Sequence, residues 1–413
     1  MKSDWVLKKI SDISRVNENT YSPKENWPFV DYLDTGNITE NVIHSLQRIN
    51  PATEKLPSRA RRKVMQNSII YSTVRPNQRH FGIMKDTSDY LLVSTGFAVI
   101  DVNTLLADAD FLYFYLSQPD IVEHLHSIAE QSVSAYPSIK ASDIEDLEIQ
   151  LPPLRVQRNI SAILRALDNK IALNTQINDN LLQQAEGIFN AWFVDFQAFG
   201  GKMPANWSKV PFGSIVRIST ETFSPSKHPQ VNVEHYSIPA FDEKHFPVFE
   251  SAAGIKSNKY RLKKHSVMVS KLNPDIKRIW RPYCLSDYPV CSTEFIVYEP
   301  FNPAYRDFVF AIVGSENFSK YLCSHTTGST NSRQRATPSV TLDFEIVYPN
   351  DLVIQDFCSI VTPLYTMVEN NLFQNQVLAE IRNALLPRLM SGELDVSGVI
   401  LEVGTGKKST TYA

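Results

Sequence analysis

Two long stretches of this chain repeat their apolar positions at alternating steps of four and three. From Leu154 onward the positions Ile160, Leu164, Leu167, Ile171, Asn174, Asn178, Leu181, Ala185, Ile188 and Trp192 form one seam. Shifted by 197, Phe357, Val361, Leu364, Val368, Asn371, Asn375, Leu378, Arg382, Leu385 and Leu389 form a second. That period belongs to a coiled coil rather than to a helix lying on a core. Pro152-Pro153 sets an extended entry to the first helix, on the reasoning that proline does not fit a helix interior. Elsewhere the apolar runs are short. Those near 68 to 74, 90 to 102, 266 to 272 and 290 to 298 predict strands, and helices are predicted near 110 to 128 and 303 to 322.

These elements come in two sets. Trp5, Ile10, Ile13 and Val16 recur as Trp207, Phe212, Ile215 and Ile218, a shift of 202. At a shift of 198, Ser68-Ile-Ile-Tyr-Ser72 becomes Ser266-Val-Met-Val-Ser270, Arg75-Pro76 becomes Asn273-Pro274, and Ser94-Thr95-Gly96-Phe97 becomes Ser292-Thr293-Glu294-Phe295. Two repeats are too few for a solenoid, so a duplicated domain related by a pseudo-twofold is expected. The expected fold is α+β, with the two copies of the domain at 1–150 and 201–350, coiled-coil helices at 151–200 and 351–397, and a flexible tail at 398–413.

A buried Asn costs stability and fixes register by requiring a partner at its own level. Two helices of one chain supply each other's. Antiparallel pairing sets Asn174 against Asn375 and Asn178 against Asn371; parallel pairing would also satisfy them. The antiparallel arrangement is expected because it carries the two domains to opposite ends. The alternative is a pair of amphipathic helices, each packed on its own domain. A seam of this length makes a rod of roughly 50 Å, longer than one turn of DNA at about 34 to 36 Å.

At 413 residues, with 43% hydrophobic and 21% charged residues, the chain has the composition of a soluble globular protein and no run long enough to span a membrane. A cytoplasmic location is expected. The four Cys (Cys284, Cys291, Cys323 and Cys358) show no CxxC spacing, and Cys323 beside His325 is read as packing, so no metal is expected. The net charge of -3 conceals an asymmetry: residues 1 to 150 hold 15 Lys and Arg against 20 Asp and Glu, and residues 206 to 350 hold 17 against 13. No phosphate-binding or dinucleotide glycine motif is present, and Asn273-Pro274-Asp275-Ile276 lacks the second Pro and the aromatic of an adenine-methylating N-P-P-Y motif. The chain is therefore expected to be non-catalytic by itself.

Basic residues recur in register. Lys55, Arg59, Arg61, Arg62 and Lys63 precede one strand, and Lys256, Lys259, Arg261, Lys263 and Lys264 precede its counterpart. A second basic turn follows each strand, with Arg75, Arg79 and His80 in one copy and Lys271, Lys277, Arg278 and Arg281 in the other. Such clusters suit phosphate contacts, which position a protein without reading sequence. Base reading requires a difference between the copies. Divergence is greatest before Pro137 and Pro338, where Gln131 to Tyr136 faces Gly328 to Arg335. Gln131, Tyr136, Arg333, Gln334 and Arg335 are the candidate base readers, since Arg bridges guanine and Gln bridges adenine in the major groove. A polar surface loop is the competing reading.

Leu151-Pro-Pro-Leu-Arg-Val-Gln157, Leu167-Asp-Asn-Lys-Ile171, Trp192-Phe-Val-Asp-Phe196 and Leu385-Leu-Pro-Arg-Leu-Met-Ser-Gly-Glu-Leu394 resemble the helical regions of type I restriction-modification specificity subunits, and Ser72-Thr-Val-Arg-Pro76 resembles a segment of their target-recognition domains. The resemblance spans residues 1 to about 397. It implies two target-recognition domains, each reading half of an interrupted double-stranded DNA target. It also implies two modification subunits that bring S-adenosylmethionine and methylate adenine, and two restriction subunits that use ATP and Mg. No cofactor is expected in this chain. The helices are then the docking surface, with Phe189, Trp192, Phe193 and Phe196 as candidate contacts; packing against the next domain is the other reading. Alternatives are service to a fused methyltransferase-nuclease, or a coiled-coil adaptor with no DNA role.

Overall fold

The computed structural model describes residues 4–85, 87–132, 136–327 and 334–399. The chain divides into two compact units, Met1–Asn169 with Ala379–Ala413, and Lys170–Leu378. Each therefore contains one copy of the repeat, part of the helix that follows that copy, and part of the helix that follows the other.

In the first unit, one four-stranded sheet runs in the order Gln47–Ile49, Val30–Leu33, Leu91–Ser94, Ala60–Lys63, and another in the order Ser14–Val16, Phe97–Val102, Ile69–Ser72, Phe81–Ile83. The second unit repeats both orders: Val248–Ser251, Asn232–Tyr236, Pro289–Ser292, Lys259–Arg261, with Thr222–Phe223 added at the edge, and Val216–Ser219, Phe295–Pro300, Val267–Ser270, Ile279–Trp280. The register matches the sequence shifts. Ile100 lies opposite Val16 and Ile69, as Tyr298 lies opposite Ile218 and Val267. Each unit also closes its first strand on its last, Val6–Lys9 on Glu148–Leu151 and Ser208–Pro211 on Glu345–Tyr348.

Two expectations are corrected here. The apolar runs near 90 to 102 and 290 to 298 are each two strands in different sheets, separated by turns at Thr95-Gly96 and Thr293-Glu294. Each expected helix is also two. Pro119 cannot donate to the preceding turn and starts Pro119–Glu130 after Ala109–Ser117. Ser315 ends Arg306–Gly314 and caps Glu316–Ser324 by accepting from the Phe318 amide at 3.2 Å.

The central helix is Leu154–Phe193 and the distal helix Asp351–Met390. Proline does occur inside the latter: Pro363 and Pro387 both sit on its exposed face, away from the seam. Each removes a ladder hydrogen bond, and the buried positions on either side hold the helix together. Within the second unit the helices run antiparallel. Asn174 Nδ2 donates to Asn375 Oδ1 at 2.8 Å, and Asn371 Nδ2 donates to Asn178 Oδ1 at 2.8 Å. Gln374 joins the layer, accepting from Asn174 at 2.8 Å. Within the first unit Arg382, an anomaly in an apolar seam, reaches Asp168 at 3.0 Å.

Candidate nucleic-acid interface

The same backbone device follows the strands Ile69–Ser72 and Val267–Ser270. Ser72 Oγ donates to the Val74 carbonyl at 2.9 Å, and Ser270 Oγ to that of Leu272 at 2.8 Å. Thr73 and Lys271 then donate their amides to the carbonyls of Gly96 and Glu294, at 2.8 and 2.9 Å. Arg75 and Asn273 adopt the left-handed conformation, with φ of 49° and 48°, ahead of the buried Pro76 and Pro274. A non-glycine residue there needs support. It comes from the divergent loops: the Arg75 amide donates to Pro137 O and the Asn273 amide to Gln334 O, each at 2.9 Å.

The turn and the divergent loop are thus brought together in both units. In the first, the exposed Arg75 guanidinium lies 5.2 Å from the ring centre of Tyr136, also exposed, and Gln131 is exposed at the end of the preceding helix. In the second, Arg335 is exposed and makes a bidentate pair with Glu294 at 3.0 and 3.1 Å, while Gln334 is half-buried. Arg333 lies outside the described residues.

Sequence reasoning treated the basic clusters as uniform; the fold does not. Lys55, Arg59, Lys256, Lys264 and Lys277 are exposed, and Arg61 and Lys271 are half-buried on the strand and turn. Others make contacts within their own unit; of these Lys259 and Arg278 are buried, which corrects their reading as phosphate contacts. Lys259 is buried, its ammonium donates to Ser257 Oγ at 2.7 Å, and burial lowers its pKa. Arg278 is buried in a bidentate pair with Asp242 at 2.6 and 2.9 Å. Arg281 pairs with Asp307 at 2.6 Å and with Glu369. Arg79 pairs with Glu40 and donates to the Ser117 carbonyl at 2.9 Å. Lys63 pairs with Glu25, and Arg62 reaches Asn17 O at 3.4 Å while burial lowers its pKa. Arg261 lies over the rings of Phe223 and Tyr288. Lys263 bonds Glu299 at 3.1 Å; burial pushes that carboxyl up, but hydrogen bonds from Arg217 and Lys263 outweigh it and hold the pKa below the usual range.

The aromatics at the end of the central helix have partners within the second unit, the packing that was the other reading of them. Phe189 and Phe193 are buried against Phe308 and Phe357. Trp192 packs edge-on to Phe199 at 5.6 Å, and Phe196 on Trp207 at 6.3 Å.

A second divergent element escaped the sequence. Ile38–Thr39 and Val42–Ile43 form a hairpin in the first unit, where the second has the helix Ile238–Lys244. Both flank the basic turn: Glu40 donates its amide to Arg79 O at 3.0 Å, and Asp242 holds Arg278. Glu40 and Asn41, both at positive φ, form the tip of that hairpin.

The duplicated sheets, each carrying a matched turn against a divergent loop, define a class of protein built on one scaffold used twice with different edges. Residues 2–183 match the type I restriction modification DNA specificity domain. Over 462 residues the chain is 24% identical to the specificity subunit of type I restriction enzyme HindI of Haemophilus influenzae, covering 95% of this chain and 100% of the relative. Over 424 residues it is 24% identical to the MjaIX specificity subunit of Methanocaldococcus jannaschii, covering 95% and 94%. Its fold is similar to the crystal structure of a type I restriction-modification S subunit from M. genitalium, with a TM-score of 0.55 and 14% identity over 93% of this chain and 96% of that one. The chain is thus similar to type I restriction enzyme specificity subunits along 95% of its length, and residues 2–183 carry the match to a DNA specificity domain. Among the described residues, no helix is long and apolar enough to cross a membrane.

Proposed function

We propose that the two units read the two halves of an interrupted DNA target, and that the antiparallel helices set the separation of the halves. The observation carrying this reading is the identical sheet order of the units combined with divergence at the segments flanking one matched turn. A common scaffold presents different edges, as two different half-sites require. In this reading exposed Lys55, Arg59, Arg75, Lys256, Lys264 and Lys277 supply phosphate contacts, and Gln131, Tyr136, Gln334 and Arg335 are the candidate base readers.

In this reading the chain performs no chemistry. Two modification subunits bring S-adenosylmethionine and methylate adenine, and two restriction subunits use ATP and Mg. The modification subunits dock on the helices, whose exposed apolar residues in the second unit include Met367, Phe373 and Val377. Mapping adenine methylation across the host genome, with and without this chain, tests the proposal in cells that express a modification subunit. A two-part motif methylated on opposite strands and lost on deletion is expected. An unchanged methylome would contradict it.

A further inference from the structure

One buried carboxylate is duplicated with its surroundings. Asp110 and Asp307, 6% and 4% exposed, occupy the first turns of Ala109–Ser117 and Arg306–Gly314, where negative charge also suits the helix N-terminus. Each takes a cation from the segment just beyond an edge strand, Phe81–Ile83 in one unit and Ile279–Trp280 in the other. Lys85 Nζ lies 2.8 Å from Asp110 Oδ2, and Arg281 Nε lies 2.6 Å from Asp307 Oδ1. Each also takes a hydrogen bond from a long helix: Arg165 Nη1 donates to Asp110 at 2.5 Å, and Thr362 Oγ1 donates to Asp307 at 2.5 Å. Asp110 and Arg165 map onto Asp307 and Thr362 by the same shift of 197 that relates the two helices. Arg281 and Arg306 further share Glu369 on the distal helix, the latter at 3.1 Å.

The edge strands concerned, Phe81–Ile83 and Ile279–Trp280, pair with the strands that end in the basic turns. Each carboxylate therefore ties the edge carrying the candidate readers to the helix. Apolar packing favours certain angles of a domain on a helix but leaves a scatter of roughly 15–20°. A charge-assisted, directional contact narrows that scatter.

We propose that Asp110 and Asp307, with Arg165 and Thr362, are positioning residues that set the angle of each recognition domain on its helix, and through it the half-site separation the protein accepts. This rests on the bipartite reading above. The helix side of the contact is the place to test it, because Arg165→Ala and Thr362→Val leave each aspartate its strand-side cation and the core intact.

Wild type, the double variant and the conservative pair Arg165→Lys with Thr362→Ser are each expressed with the modification subunit, and adenine methylation is mapped by single-molecule sequencing. Wild type gives a two-part motif of one spacer length. Loss of a charge-assisted hydrogen bond corresponds to about a tenfold change in an equilibrium. The double variant is expected to raise methylation about tenfold at spacers one base pair longer or shorter, with the same bases in both halves, and the conservative pair to retain the single spacer. The proposal is overturned if the folded double variant keeps the single spacer, or loses methylation at all spacers alike. If the double variant fails to fold, Thr362→Val alone is judged by the same two outcomes. A wild-type methylome without a two-part motif would instead remove the bipartite reading, and this inference with it.

Discussion

Lys264 carries an exposed ammonium, whereas the half-buried Arg281 is paired with Asp307 and Glu369, and the two respond differently to truncation. Lys264→Ala is expected to weaken all DNA sequences alike and to lower the slope of log affinity against log salt by about one, read from binding titrations at several salt concentrations. Arg281→Ala leaves the buried Asp307 without its cation, while Glu369 keeps Arg306, and is expected to cost about 3–5 kcal/mol, measured by urea unfolding. Arg335 is different again. Its bidentate fork is held ready by Glu294, so Arg335→Ala is expected to relax preference at one base pair by about 1–3 kcal/mol and to leave the others unchanged. The basic clusters were legible in the sequence because charge is visible in composition. Their division into surface and interior was not, because it depends on carboxylates remote in sequence, such as Asp242 for Arg278.

The seams were read correctly at the level of elements, since a heptad pattern is local and the Asn positions sit symmetrically in it. Asn174 opposite Asn375 and Asn178 opposite Asn371 is the antiparallel register within the second unit. Asn174→Leu alone is expected to destabilise by about 1–3 kcal/mol, because Asn375 keeps a polar group with no partner. Replacing both by Leu is expected to recover most of that loss, as two apolar groups pack without a penalty. Guanidinium unfolding of the two single variants and the double gives the coupling directly. What the sequence concealed was where apolar runs break. Phe97–Val102 and Leu91–Ser94 read as one strand, because the Thr95-Gly96 turn lacks the usual proline or asparagine cluster. The hairpin at Ile38–Ile43 was missed because the repeat fails to align there, and that failure was itself the signal.

Across the whole molecule, two units of one topology differ in their electrostatics. His235 in the second unit is held below its ordinary pKa of 6.5 chiefly by burial, with Lys259 acting in the same sense and a hydrogen bond to Glu250 opposing. The folded state binds this proton less readily than the unfolded one. Its contribution is therefore present above pH 6.5 and lost as the pH falls below it. The melting temperature is expected to fall more steeply below pH 6.5 in the wild type than in His235→Gln, followed by calorimetry across that range. The duplication itself was legible from matched positions throughout both copies, and it supports the central claim that each unit reads one half-site. The most direct measurement is the methylome of a chain whose second recognition domain is replaced by a second copy of the first. The account predicts a motif made of two inverted copies of one original half; a motif that still contains the other half would contradict it.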